Sequence, residues 1–313
     1  MTAAALFVSA QGRLRSGWRV ALFVVLLSVF APVAQIITAI PGWVLPARDA
    51  SVIVASEVPL TWVSLIVAAL AAHLVMLAFV DRTGWGYVGL ARRAASPRPI
   101  AAGFALGALA IGLPCVLLLA IGWLALVRAP GTGPLIGREL ATVLAVLIPA
   151  ALAEELLVRG YLLSALADGL GRRWSVIATS VAFALMHARN PGMEPSALVV
   201  VALAGVFLGA LRFATASLYA AWAAHLAWNL VLGVLLHALV SGTTIALAGW
   251  RTLDSGPDWA TGGSWGPEGG VPAAAGLLVA TWYLIARRQP APVITPADAR
   301  GTAAAAQHDG VHA

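Results

Sequence analysis

Residues 150–162 read AALAEELLVRGYL and set two adjacent carboxylates and an arginine inside an apolar segment. Two later segments repeat the pattern: VAFALMHARN at 181–190, with Phe183 and His187, and AAWAAHLAWNL at 220–230, with His225 and Asn229. Ionisable groups at membrane depth are costly, hence rare, and by default mark function. The rest of the chain supports a membrane setting. Of its 313 residues 61% are hydrophobic and only 10% charged, with mean hydropathy +0.91; soluble domains carry roughly 25% charged residues. A soluble core of this length could not hide so much apolar surface, so the bulk of the chain must lie in lipid.

Apolar runs of this kind predict an all-α, polytopic membrane protein of about eight transmembrane helices enclosing an intramembrane cavity. The expected spans are near 19–40, 58–80, 100–127, 140–167, 174–188, 196–212, 216–240 and 272–286. The first is too long, and too poorly followed by small residues, for a cleaved signal peptide. Arginines orient the chain. Arg13, Arg15 and Arg19 precede the first span, Arg82, Arg92, Arg93 and Arg98 follow the second, and Arg172 and Arg173 follow the fourth. Arg212 follows the sixth and Arg287 and Arg288 the eighth, whereas the alternate loops hold fewer: Arg48, Arg128, Arg138, Arg189 and Arg251. The positive-inside rule then places both termini in the cytoplasm.

The organisation expected is N-terminal helices over 1–139, a core over 140–240, an external loop over 241–271, a last helix over 272–288 and a disordered tail over 289–313. The loop is Gly-rich and carries Asp254, Asp258 and Glu268; its Trp250, Trp259 and Trp265 suit the membrane interface, and a functional lid is the alternative reading. All 19 basic residues are arginine, which with the excess of Ala and Gly suggests a G+C-rich, prokaryotic genome and so a multi-pass cell (inner) membrane protein. The net charge of +6 sits at span ends, with no basic face interleaved with aromatics, so nucleic acid is not an expected partner. Cys115, the lone cysteine, reads as a small buried hydrophobe.

Chemistry concentrates in the three polar clusters. Glu154 and Glu155 point about 100° apart on a helix, so one can face a cavity and the other a neighbouring helix. Glu155 and Arg159 stand in the favourable order for an ion pair one turn apart. That pair reads either as a structural lock or as support for a carboxylate that acts as general base. His225 and Asn229 share a helical face and read either as interhelical glue or as an oxyanion site. With ~1.5 Å rise per residue, all three clusters reach similar depths. His73 and His237 have no such companions and read as structural. The chain has no His-Glu-x-x-His, no Gly-x-Ser-x-Gly and no pair of aspartates within spans.

In their order and spacing these residues resemble the CAAX prenyl protease and bacteriocin-processing (CPBP, or Abi) family of intramembrane proteases. Its motifs are Glu-Glu-x-x-x-Arg, Phe-x-x-x-His and His-x-x-x-Asn/Asp, here Glu154–Arg159, Phe183–His187 and His225–Asn229. The likeness covers about residues 140–240, and Arg-Ser-Gly-Trp-Arg at 15–19 is similar to bacterial members. The resemblance implies an endopeptidase acting on a peptide or protein in the bilayer. Glu154 would activate water with help from His187, and His225 and Asn229 would polarise the carbonyl. Glu155 and Arg159 would organise the site or hold a substrate carboxylate. Glu154, His187 and His225 are also a candidate zinc ligand set. The expectation here is catalysis without metal, because no carboxylate is evident in the sequence to orient the histidines.

The chain's own C-terminus, Asp-Gly-Val-His-Ala, has no CAAX box. Leader peptides, small membrane proteins and anti-sigma-like regulators are candidate substrates. The competing functions are a membrane scaffold or chaperone without proteolysis and a proton-coupled transporter; the lack of internal repeats speaks against the transporter.

Overall fold

The computed structural model describes residues 7–8, 12–44, 50–129, 136–245 and 249–287. Arg48 and the tail expected at 289–313 lie outside them. The chain is an all-α polytopic membrane protein. Its long helices are α1 (Ser16–Val44), α2 (Ala50–Val75), α3 (Pro97–Ala120), α4 (Ile136–Glu155) and α5 (Tyr161–His187). α6 (Pro195–Thr215) and α7 (Leu218–Leu230) follow, then a short α8 (Asp258–Thr261) and α9 (Val271–Ala286). α2, α4 and α7 each run on into one wider, π-helical turn, at Met76–Val80, Leu156–Gly160 and Val231–Leu235.

Six helical stretches among the described residues are long and apolar enough to cross a bilayer, and α9 is a shorter apolar helix. One of the six, Glu139–His187, is 49 residues long and holds the fourth and fifth expected spans. On a straight helix residues 154 and 187 would be roughly 50 Å apart, yet Glu154 Oε2 lies 3.7 Å from His187 Nε2. The chain must double back between them. It does so at Gly171, whose φ of 77° and ψ of 164° leave the helical region and suit a residue without Cβ. Counted with this reversal, all eight expected apolar segments are present.

Three expectations need correction. The third span ends at Ala120 rather than 127, because Gly122 turns the chain at φ 78°. Residues Leu124–Arg128 then form a strand, β1, antiparallel to β2 (Trp250–Asp254). The seventh span likewise ends at Leu235. The stretch 241–271 is correspondingly more ordered than an irregular loop: it holds β2, α8 and two 3-10 turns, and its Trp265 is fully buried rather than interfacial.

Packing places α7 where the site needs it. α3 carries Gly103 and Gly107 one turn apart, and a Cβ on either would collide with the carbonyl oxygens of Ala220 and Ala224 on α7. The helices therefore meet backbone to backbone, as small residues allow in membranes. The largest apolar cluster joins this pair to α6 and α9 through Ile111, Phe207, Leu211, Trp228 and Leu277. A second cluster packs α1, α2 and α5 through Phe23, Met76 and Tyr161. Cys115 is buried in the first.

Arg19 does more than flank a span. It is buried, pairs with Asp81 at 2.8 Å and Asp168 at 2.7 Å, and donates to the hydroxyls of Tyr87 (2.7 Å) and Tyr161 (3.1 Å). This network staples α1 to the ends of α2 and to the first arm of α5.

Candidate active site

The site begins with the end of α4. Its π-helical turn inserts one residue per turn beyond the α-helical count, so backbone groups lose their regular partners there. His73 of α2 supplies the missing one: its Nε2 accepts from the Tyr161 N–H at 3.0 Å, while its Nδ1 donates to the Ala69 carbonyl at 2.7 Å. A Cβ on Gly160 would strike the same imidazole. The histidine read as structural is thus the support of the turn that carries Glu155 and Arg159.

Glu155 and Arg159 are fully buried and paired at 3.0 Å through Oε1 and Nη1. The guanidinium also lies over the Phe183 ring, 4.1 Å from its centre. Among the described residues its Nε and Nη2 make no hydrogen bond. Arg159 has no exposed surface in this conformation.

Glu155 Oε1 also meets His225 Nδ1 at 3.0 Å. A carboxylate can only accept there, so Nδ1 carries the proton and Nε2 is turned toward Glu154. His187 is fixed in a parallel way: its Nδ1 donates to the Phe183 carbonyl at 2.8 Å. Each imidazole therefore has one nitrogen anchored and one directed inward. Glu154 Oε2 lies 3.7 Å from His187 Nε2 and 3.8 Å from His225 Nε2, and makes no hydrogen bond among the described residues. Phe183 closes the group from below, its ring 4.7 Å from that of His187 and 6.0 Å from that of His225.

Five of the six residues expected in the site, all but Asn229, are thus linked by these contacts, and Asn229 joins His187 and His225 in lining one cavity. The cavity is largely apolar, walled by Val201, Phe207, Leu208 and Leu277, with a polar end at Asn229, Ser241 and Glu268.

The expectation that no carboxylate orients the histidines is wrong: Glu155 does so for His225. Sequence adjacency had suggested only a partnership with Arg159, and helix-to-helix contacts are invisible in a linear pattern. As a metal centre the residues fit poorly. Ligands on a tetrahedral zinc are roughly 3.4 Å apart, given bonds of about 2.0–2.1 Å, and here the gaps are wider. Among the described residues no group of three or more His, Cys, Asp or Glu is drawn together closely enough to hold an ion.

Sequence reasoning missed Glu268, the sole carboxylate of a Gly-rich turn, which enters the cavity from outside the helical core. Burial raises its carboxyl above the usual value, against the hydrogen bonds from Trp228 and Ser241 and the nearby His187 and His225, which lower it. Trp265 was expected at the interface and instead packs with Phe183 and Val158, 6.5 Å from the His187 ring.

Residues 136–231, about a third of the 313-residue chain, match the family model for the type II CAAX prenyl endopeptidase, Rce1-like. The match agrees with the resemblance read from the three motifs and contains all six of their polar residues. No curated protein matches the chain.

Proposed function

We propose that this multi-pass membrane protein, whose residues 136–231 match the family model for the Rce1-like, type II CAAX prenyl endopeptidase, hydrolyses a peptide bond of a membrane-associated peptide or protein. The observation that carries the mechanism is the convergence of Glu154 Oε2 with two inward-facing imidazole nitrogens at 3.7 and 3.8 Å. A water about 2.8 Å from each atom would bridge them, admitted when the Glu154 side chain, whose Oε2 is enclosed in this conformation, turns toward the cavity lined by His187 and His225. Such a water donates one O–H to Glu154 and the other to His187 Nε2, leaving a lone pair for the scissile carbonyl carbon.

As the C–O bond forms, Glu154 takes the water proton. In its imidazolium form His225 keeps donating to Glu155 through Nδ1 and offers Nε2–H to the oxyanion, with the Asn229 amide as second donor. Collapse of the intermediate breaks the C–N bond, and Glu154 returns its proton to the leaving amine. Arg159 neutralises Glu155, so that one carboxylate orients and the other reacts. No step is routed through a metal, and activity is expected to survive a chelator that strips zinc. We place both termini in the cytoplasm on the distribution of the arginines along the chain, and the chain in a prokaryotic inner membrane on its lysine-free, Ala- and Gly-rich composition.

The test compares peptide ends in membranes of cells making the wild type or Glu154→Gln at matched levels. Amide and carboxylate are isosteric, but the amide accepts no proton. New ends found only with the wild type are the expected result, and they name the substrate. Identical peptide ends with both proteins folded would favour a scaffold instead.

A further inference from the structure

The outer side of the cavity is closed by chain that the Rce1-like match does not include. After the π-helical turn of α7, residues 236–245 and 249–270 return across the ends of α5 and α6. The fit is close and built on glycine: a Cβ on Gly192 would meet the Ser264 carbonyl, and one on Gly242 the Pro191 carbonyl. Asn190 Nδ2 donates to the Ser241 carbonyl at 3.1 Å. Trp265 sits at the centre of this cover without exposure.

One side chain joins the cover to the catalytic helix. Glu268 is 7% exposed and lines the cavity. Its Oε2 accepts from Trp228 Nε1 at 2.7 Å, and its Oε1 accepts from the Ser241 N–H. Trp228 stands immediately before Asn229 and three residues after His225. Immediately beyond this turn, α7 widens into the π-helical turn Val231–Leu235. The part of α7 that carries the two expected oxyanion donors therefore lies next to a non-α-helical end, and the indole–carboxylate bond ties it down at that point.

We infer that Glu268 is a positioning residue of the active site, clamping Trp228 and Ser241 so that the cover holds His225 and Asn229 in register with Glu154. It is not itself a catalytic residue, because each of its oxygens already serves a protein donor. The kinetic consequence rests on the protease reading; the structural one does not.

The test uses the full chain in detergent, with Glu268→Ala, Glu268→Gln and Trp228→Phe. The substrate is the peptide named by the comparison with Glu154→Gln. Loss of the clamp is expected to lower kcat roughly 10–100-fold, the scale of a misplaced catalytic group, with KM within about twofold. Glu268→Gln, which keeps one acceptor oxygen but sets an NH2 against the other donor, falls between wild type and Glu268→Ala, and Trp228→Phe behaves like Glu268→Ala. In parallel, the Trp228 indole N–H resonance shifts in Glu268→Ala, and amides of residues 238–245 exchange faster.

Unchanged kcat in Glu268→Ala or in Trp228→Phe overturns the inference, as does a lowered melting temperature with kcat unaltered. If Glu268→Ala does not fold, the other two variants decide. If the wild type cleaves nothing, the protease reading fails by itself. Amide exchange over residues 238–245 in Trp228→Phe, and the Trp228 indole resonance in Glu268→Ala where that variant folds, then judge the clamp: unchanged values sink it.

Discussion

Glu154 and Glu155 are neighbours with the same chemistry, and their surroundings divide the work between them. Glu155 has a guanidinium and an imidazole on Oε1 and no exposure; Glu154 keeps a side-chain exposure of 15% and has only the two imidazole nitrogens near its Oε2, while Oε2 of each glutamate makes no hydrogen bond among the described residues. Removing the partner of the first should therefore be a folding lesion. Arg159→Ala is expected to cost about 3–5 kcal/mol, as stranding a buried charge does, seen as lower folded yield and a lower melting temperature in detergent. His225→Ala and Asn229→Ala should act on turnover instead, by ~10²–10³-fold if each donates to the oxyanion; normal kcat in either variant removes that residue from the role. These assignments were legible in the sequence as far as residue identity and spacing go. The tautomers were not, since they depend on the Phe183 carbonyl and on Glu155, and only the fold brings those to the imidazoles.

Elements show a different balance. The apolar runs revealed the helices because lipid demands length and hydropathy, and both are local properties. The π-helical turns were hidden, since a turn held by His73 from another helix leaves no mark in local periodicity. The strand at Leu124–Arg128 was likewise read as the end of a span, its partner lying more than a hundred residues later. The seam between α3 and α7 also depends on which helices meet. Gly107→Val is expected to push α3 off Ala224 and carry His225 with it, lowering both melting temperature and activity. A stable, fully active Gly107→Val would show that the backbone contact does not hold the site.

Across the whole molecule, the site is built from helices on one side and from the cover on the other. The sequence suggested a loop there, and Trp265 and Glu268 looked like ordinary members of it; burial of both is a property of the assembled chain. The buried carboxyl gives the cover a pH dependence. Because burial holds the Glu268 value above 4.5, the folded state keeps its proton where the unfolded chain has lost it. Stability of the cover is then fully present below that value and declines as pH rises through the raised folded value. Hydrogen-exchange protection of residues 249–270, corrected for the pH dependence of intrinsic exchange, should fall as pH rises through the raised Glu268 titration, and Glu268→Gln should flatten that fall. A wild-type profile with the opposite slope would contradict the assignment.

The reversal at Gly171 has a meaning for biosynthesis. A chain made from its N-terminus inserts its segments in order. Glu155 and Arg159 can pair as soon as the end of α4 is in the bilayer, being one turn apart. His187 reaches Glu154 only when the second arm of the folded helix has come back alongside the first. His225 arrives two helices later, and Glu268 last. A nascent chain that has not yet reached His187 and His225 therefore holds Glu154 without its two imidazoles, and the arrangement is assembled only after the turn carrying Glu268 has been made.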